Sequence, residues 1–364
     1  MKVIYILHLT KPDGSTISFM NMLDQLYTKG VEPFIIAPQK NLSTDFILHL
    51  DNKGIKYKLV RWITRENNLR YDFSRFPQGC FKWIKRIINY HIRRIFFRRD
   101  IYKVVKQFNP DIIHTNVGIM QSGYNAANKY GIPHVWHLRE YQDLDFGYEF
   151  YPSKDAFIQK LKQSNVITIS KDILKHFNLE SAPNACTIYN GIEFKANTRL
   201  CFPKDKYFLC ASRVSKEKGL NDIVFAFAQF HQINPDFKLL IAGNGKEEYI
   251  QELVELTRKF HCESAVEFLG FRSDVPELMA HATALLVGSL NEGFGRMTAE
   301  ACFAGCLVIG RNTGGTKEIL ESVGGYLFDT NEELITQMQE VSSLDEDALK
   351  NMVTAIQVKA VKKY

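Results

Sequence analysis

Short apolar runs alternate with helical patterns along this chain, and they do so twice. In the first half, residues 3–9, 33–37 (closed by Pro38), 111–114, 134–137 and 166–169 read as strands. Ile17, Met20, Leu23 and Tyr27 keep helical spacing between the first two of them. The second half restarts the rhythm, with strands expected at 207–211, 237–243, 266–270, 284–287 and 307–310. Helical patterns cover 221–231, 247–260 and 275–281. Such alternation predicts α/β architecture with parallel sheets covered on both faces. A polar, turn-rich stretch from Asn190-Gly191 to Pro203 separates the halves. Residues 1–190 and 191–364 are therefore expected as two doubly wound domains with a cleft between them. A chain of 364 residues has room for both. Ligands of such sheets bind beyond the carboxyl ends of the strands.

One of those ends carries Asn291-Glu292-Gly293-Phe294-Gly295-Arg296-Met297-Thr298-Ala299-Glu300. Its two carboxylates lie eight positions apart. Glu292 is expected on the strand-to-helix loop and Glu300 in the first turns of the helix. The glycines between them leave backbone N–H groups open at a helix N-terminus, where an anion binds favourably. Carboxylates beside a phosphate site suit a ligand with both hydroxyls and phosphates, such as a nucleotide sugar. The plain alternative is a surface loop with two solvated glutamates.

Other loops repeat the theme more weakly. Ser212-Arg213 follows the 207–211 strand, with Lys216 and Lys218 ahead of Gly219. Arg213 and Lys218 can clamp a diphosphate, the first as a planar fork and the second as a point charge, or they are solvated loop charges. Gly243-Asn244-Gly245 is a fragment of a dinucleotide fingerprint without its third glycine. Gly14-Ser15 opens a helix after the first strand, where a glycine lets the backbone approach a phosphate or simply makes a turn. His137-Leu138-Arg139-Glu140 reads as a polar wall whose His can donate to a ligand or move a proton. The plain alternative is that Arg139 and Glu140 pair with each other.

The first residues lack a small-residue cleavage site, and no run approaches the roughly 18 apolar residues of a membrane span. The seven cysteines show no paired CxxC spacing, which fits reduced, mostly buried thiols and a cytoplasmic location. Residues 81–106, from Phe81 to Lys106, hold nine Lys/Arg and a single acid, Asp100. Phe81, Ile84, Ile87, Ile88, Ile92 and Ile95 share one helical face, with Lys82, Lys85, Arg86 and Arg93 opposite. A basic amphipathic helix of this kind suits an anionic membrane surface, or else packs its apolar face on the core. No base-reading motif accompanies it, so nucleic acid is not expected as a partner.

Taken in order, these segments resemble the retaining GT-B glycosyltransferases of family four along nearly the whole chain. Leu209-Cys210-Ala211-Ser212-Arg213 with Lys218-Gly219, Leu240-Ile241-Ala242-Gly243-Asn244-Gly245, Val266-Glu267-Phe268-Leu269-Gly270-Phe271 and the Glu292-to-Glu300 motif are similar to the family's landmarks. The resemblance implies two Rossmann-like domains, an acceptor-binding one followed by a nucleotide-sugar-binding one. It implies catalytic roles for Glu292, Arg213, Lys218 and His137. Arg213 and Lys218 would stabilise the departing diphosphate, Glu292 would bind the donor sugar near the reacting carbon, and His137 would orient that sugar. Gly14, Gly243, Phe271, Arg272, Phe294, Gly295, Arg296, Met297 and Glu300 would bind the donor, with Glu300 accepting from the ribose hydroxyls.

The resemblance implies neither cofactor nor metal. Asp143-Leu144-Asp145 fits an Asp-x-Asp formula but lacks a preceding strand. The expected protein is a cytoplasmic hexosyltransferase, peripheral on the inner face of the plasma membrane. It would use a UDP-sugar, or next a GDP-sugar, and a lipid-linked saccharide acceptor in capsule, O-antigen or exopolysaccharide synthesis. A GT-B nucleotide-sugar epimerase and a non-catalytic nucleotide-sugar-binding subunit are the alternatives. Three departures from the family stand out: Pro12-Asp13-Gly14-Ser15 in place of paired glycines, Ala211-Ser212 before Arg213, and Arg296 where an aliphatic residue is common. Relatives also usually continue into a last helix that packs back on the first domain, which is not evident after Tyr364.

Overall fold

The computed structural model describes every residue except 12, 62–77, 149, 151 and 193–199, and every side chain except those of 78–80 and 82 in addition. Half of the polar link expected between the halves, residues 193–199, and the side chain of Lys82 lie outside the described residues. The chain divides into two compact units, Met1–Gly191 and Ile192–Tyr364.

The first unit contains β1 (Lys2–Ile6), β2 (Glu32–Pro38), β3 (Lys56–Val60), β4 (Ile112–Thr115), β5 (His134–Leu138), β6 (Asn165–Thr168) and β7 (Ala185–Thr187). They form one parallel sheet in the order β3-β2-β1-β4-β5-β6-β7. Tyr5 at its centre registers with Ile35 of β2 and His114 of β4. Side chains along β1 alternate between faces. Val3 and Tyr5 join Phe19, Leu23 and Phe46 on one side. Ile4 and Ile6 join Phe97, Ile101 and Phe108 on the other. A strand buried on both faces reads as a continuous apolar run, as residues 3–7 do.

The helix Gln78–Phe108 has 31 residues, or about 46 Å of length. It stops where Asn109 adopts φ 49° ahead of Pro110, a left-handed residue followed by one that cannot continue a helix. Tyr90, Phe97, Ile101, Val104, Val105 and Phe108 are its buried residues. The face picked out by the sequence pattern is a different one. Phe81, Ile84, Ile88, Ile92 and Ile95 are 75%, 43%, 54%, 47% and 65% exposed. Ile88 and Ile92 each stand two residues from buried Tyr90, about 200° around the helix and so opposite it. The core packing expected as the plain alternative is therefore supplied by a second stripe, and the first faces solvent.

The second unit contains β8 (Asp205–Ala211), β9 (Lys238–Ala242), β10 (Val266–Gly270), β11 (Ala282–Val287), β12 (Leu307–Arg311) and β13 (Tyr326–Phe328). Their order is β10-β9-β8-β11-β12-β13, again all parallel. The closing helix Glu346–Lys363 buries Leu349, Val353, Ile356 and Ala360. It ends within the same unit. The Tyr364 hydroxyl is 3.0 Å from Ser322 Oγ, and its ring centroid is 5.9 Å from that of Phe294.

Candidate active site

In the second unit the strand order reverses between β8 and β11, so the loops leaving their carboxyl ends diverge. A hollow opens there, its lining including Ser212, Lys218, Ser289, Glu292, Arg296 and Met297. The β8 loop ends in a single turn, Lys216–Lys218, closed by Gly219 at φ 64°. A Cβ on Gly219 would lie 2.1 Å from the Gly288 carbonyl oxygen. Two glycines thus let the β8 and β11 loops close on each other. The result is an ion pair across the hollow: Lys218 Nζ donates to Glu292 Oε2 at 2.9 Å, with both side chains about one-fifth exposed (21% and 20%). Arg213 does not join them. It pairs with Glu217 at 3.0 Å and is turned to solvent.

Glu292 sits on backbone that has little freedom. Its carbonyl accepts from Gly315 N at 2.7 Å. A Cβ on Gly315 would lie 2.1 Å from the Phe294 carbonyl oxygen. The Phe294 ring itself is buried against Tyr364. Gly295, at φ 84°, starts the helix Arg296–Phe303. First-turn amides such as those of Arg296 and Met297 have no acceptor within the helix, and their dipoles favour an anion. Along that helix, Arg296 Nε meets Glu300 Oε1 at 2.7 Å. Burial raises the Glu300 pKa above the usual carboxylate value, and the Arg296 charge and hydrogen bond oppose the rise.

The remaining expected residues of the second unit stand apart from this hollow. Gly243, at φ 148°, packs on the β8 loop, where a Cβ would lie 1.8 Å from the Ser212 carbonyl oxygen. Its missing side chain is thereby accounted for by contact with the segment that carries Arg213. Phe271 is 75% exposed beyond the edge strand β10, and Arg272 forks onto Asp274. Sequence reasoning did not single out Arg311, although it ends an apolar strand run. Its Nε donates to the Gly288 carbonyl at 3.1 Å, its NH2 meets Asp222 at 2.5 Å and its guanidinium lies 5.1 Å from the Phe328 ring centroid. It therefore holds the β11 loop from behind.

In the first unit the order reverses between β1 and β4. Gly14 opens the helix after β1, but Asp13 caps that helix, its Oδ1 accepting from Thr16 N at 2.8 Å. Any anion approaching Gly14 meets that carboxylate. His137, on β5, is buried. Burial first, then Arg139 and His114, lower its pKa well below the ordinary value, so the ring is neutral at physiological pH. Arg139 and Glu140, adjacent in sequence, form no ion pair. Arg139 turns inward instead, its Nε bound to Asn116 Oδ1 at 2.9 Å and its NH1 to Asn190 Oδ1 at 2.7 Å. Asp143 is engaged by Lys154 and His176, and Asp145 accepts from the Tyr141 amide. Among the described residues, no group of three or more His, Cys, Asp or Glu side chains is arranged to hold a metal ion.

Two parallel doubly wound units, with a Lys–Glu pair and a helix N-terminus at the switch point of the second, define a GT-B glycosyltransferase. The chain belongs to the glycosyl transferases group 1 family, whose model matches residues 192–357. It is 30% identical over 274 residues to the N-acetyl-alpha-D-glucosaminyl L-malate synthase of Bacillus anthracis, covering 69% of this chain and 70% of that one. It is 26% identical over 360 residues to an uncharacterized 42.6 kDa protein in the cps region of Klebsiella pneumoniae, covering 92% and 89%. Among solved structures, Anabaena HepE in complex with UDP-glucose superposes with a TM-score of 0.76 at 20% identity, covering 100% of this chain and 95% of that one.

Proposed function

We propose that the protein is a retaining hexosyltransferase that moves a sugar from a nucleotide diphosphate, a UDP-sugar first and a GDP-sugar next, to a hydroxyl of a lipid-linked saccharide. The observation that carries this reading is the Lys218–Glu292 pair beside the N-terminus of the helix Arg296–Phe303. A diphosphate would displace the Glu292 carboxylate from Lys218 and take the cation and the first-turn amides together. Charge growing on the leaving diphosphate is then met by groups already in place, which is electrostatic stabilisation of the departing group. Glu292, once released, is free to accept from sugar hydroxyls. Glu300 is the acceptor for ribose hydroxyls, with Arg296 keeping it ionised. Anabaena HepE, bound to UDP-glucose in its structure, supports the choice of donor.

His137 is neutral and serves as a hydrogen-bond donor toward a sugar rather than as a base. No metal is assigned a part in these steps. The epimerase alternative asks for carboxylates in the first unit; at the ends of β4 and β5 Glu140 stands with His114, Asn116, His137 and Arg139, and product analysis without an acceptor separates the two readings. The test is thermal shift with UDP-, GDP-, ADP- and dTDP-sugars in EDTA. At about 100 times its dissociation constant a donor adds roughly 2.7 kcal/mol. A shift from one base alone supports the reading, and no shift from any of the four sinks it.

The lipid-linked acceptor rests on the exposed Ile84, Ile88, Ile92 and Ile95 stripe of the helix Gln78–Phe108, flanked by exposed Lys85, Arg86, Arg93 and Arg99. Apolar side chains can enter the interface while each basic group near an anionic surface contributes about 1 kcal/mol. This would hold the protein peripherally on the cytoplasmic leaflet. Among the described residues, no helix is long and apolar enough to cross a membrane. Replacing Arg93, Arg94, Arg98 and Arg99 with Gln should weaken co-sedimentation with anionic vesicles, and unchanged binding would refute the membrane reading. The capsule-region relative is consistent with a role in cell-surface polysaccharide synthesis.

A further inference from the structure

Phe294 stands between Gly293 and Gly295, in the loop that leads from Glu292 into the helix Arg296–Phe303. The two glycines have no side chain to pack, and their backbone is the least restricted of any residue. The Phe294 ring, 4% exposed, is therefore the apolar anchor of residues 293–295. It meets the Tyr364 ring edge-on, with 5.9 Å between centroids and 66° between planes, a favoured geometry for aromatic pairs. Tyr364 itself is not among the residues that line the hollow.

Tyr364 is fixed at three points. Its amide donates to the Ala360 carbonyl at 2.9 Å, at the end of the helix Glu346–Lys363. Its main-chain oxygen accepts from Ile192 N at 3.0 Å, where the chain enters the second unit. Its hydroxyl is 3.0 Å from Ser322 Oγ, near the end of the helix Gly314–Val323. The first turn of that same helix carries Gly315, whose amide donates to the Glu292 carbonyl. A closed circuit results. Gly315 holds the Glu292 main chain, Ser322 holds the Tyr364 hydroxyl, and the Tyr364 ring holds Phe294. Groups locked by packing and hydrogen bonds in this way keep a binding site near one geometry.

We propose that Tyr364 is a positioning residue for the donor hollow. Its ring fixes Phe294, and through Phe294 the Glu292 carboxylate and the first-turn amides of Arg296 and Met297. The role in donor binding rests on the transferase reading above; the hold on the loop does not. Without the ring pair, the loop gains freedom about Gly293 and Gly295. A ligand must then order the loop as it binds, and that ordering is subtracted from its affinity. The ring carries the effect, and the hydroxyl only steadies the ring.

The test uses the full chain. UDP is titrated calorimetrically into wild type, Tyr364→Phe, Tyr364→Leu and Val353→Ala. Residue-resolved amide exchange follows the Gly315 N–H in the same proteins without ligand. That amide is protected by its bond to the Glu292 carbonyl, so its exchange reports where the loop sits. Val353 is buried on the same helix, about 16 Å from Tyr364 along its axis, so Val353→Ala weakens helix packing without removing the ring pair. Tyr364→Leu should weaken UDP binding by at least about tenfold and speed Gly315 exchange. Tyr364→Phe keeps the ring and should stay close to wild type in both readouts. Val353→Ala should lower the melting temperature and leave UDP affinity unchanged. Should Tyr364→Leu not fold, Phe294→Leu removes the same ring pair from the other side. Wild-type affinity or wild-type exchange in Tyr364→Leu, or an equal loss in Val353→Ala, overturns the proposal. If wild type binds no UDP, the donor reading falls. Faster Gly315 exchange in Tyr364→Leu alone then leaves Tyr364 as the holder of the loop, and unchanged exchange overturns both.

Discussion

Arg296 departs from the usual aliphatic residue, and removing its charge gives a pH-dependent signature. Arg296 Nε lies 2.7 Å from Glu300 Oε1, with the two side chains 19% and 22% exposed. A hydrogen bond to a charged partner is worth about 1.5–3 kcal/mol, and partial exposure places this one at the low end, about 1.5 kcal/mol. Burial already raises the Glu300 pKa in the folded state, with Arg296 pulling it down. A carboxylate with a raised folded pKa makes the protein less stable as pH climbs through that pKa, because the unfolded chain gives up its proton first. In Arg296→Gln the opposing cation is gone, so the rise is larger and the penalty at high pH grows. At pH 8 the variant should melt about 3–6 °C below wild type, taking about 2–4 °C per kcal/mol for a unit of this size. At pH 4, where Glu300 is protonated in both proteins, the gap should close. The assay is a pair of calorimetric melts at the two pH values, with UDP titrated at pH 8. The same melting penalty at both pH values would refute the argument, since it would mean that Arg296 acts through packing rather than through its charge on Glu300.

Gly315→Ala would place a methyl 2.1 Å from the Phe294 carbonyl oxygen, and should cost about 1–3 kcal/mol with loss of UDP affinity as the Glu292 loop shifts; a melt and a UDP titration read both. Lys218→Gln leaves the Glu292 carboxylate, about one-fifth exposed, without its cation, so the double variant Lys218→Gln/Glu292→Gln should be more stable than the single one. Urea melts of the four proteins in the cycle should give a coupling of about 1 kcal/mol. His114 and His134 have pKa values lowered by burial to about 3, and His137 is lowered too. Groups with depressed folded values take up protons in the unfolded chain first, so stability should fall as pH drops below about 6.5, by up to about 1.4 kcal/mol per pH unit for each ring. Denaturant melts between pH 7 and 5 check this, and His134→Gln should flatten the slope by about one proton.

How much of this was legible depends on what each feature needed. The doubly wound architecture came from β1, β2, β8, β9, β11 and β12, whose apolar runs follow from burial on both faces. The strands that escaped, β3, β7 and β13, sit at sheet edges or are three residues long. Lys56–Val60 has two lysines in five residues, as an edge strand tolerates. The helix Gln78–Phe108 was legible as a helix, but its sequence carries two apolar stripes, and only the docked sheet decides which one is core. Gly219 and Gly315 look like ordinary loop glycines until Gly288 and Phe294 are seen against them.

Arg139 shows why the remainder lay out of reach. The sequence offered Glu140 as its one named alternative partner, because a one-dimensional reading can weigh only neighbours. The structure gives it Asn116 and Asn190, which are 23 and 51 residues away. Asn116 is close because β4 lies beside β5 in the sheet, and Asn190 follows β7 near the far edge. Lys218 and Glu292, 74 residues apart, meet for the same reason, β8 beside β11. A motif residue at a strand's carboxyl end acquires its chemistry from whichever strand end stands next to it. That adjacency is set by sheet order, which for Lys218 and Glu292 reverses between the two strands whose ends carry them. The motifs could therefore name the participants, while the partner of each, a carboxylate at Lys218 and two asparagines at Arg139, became readable only once the strands were in order.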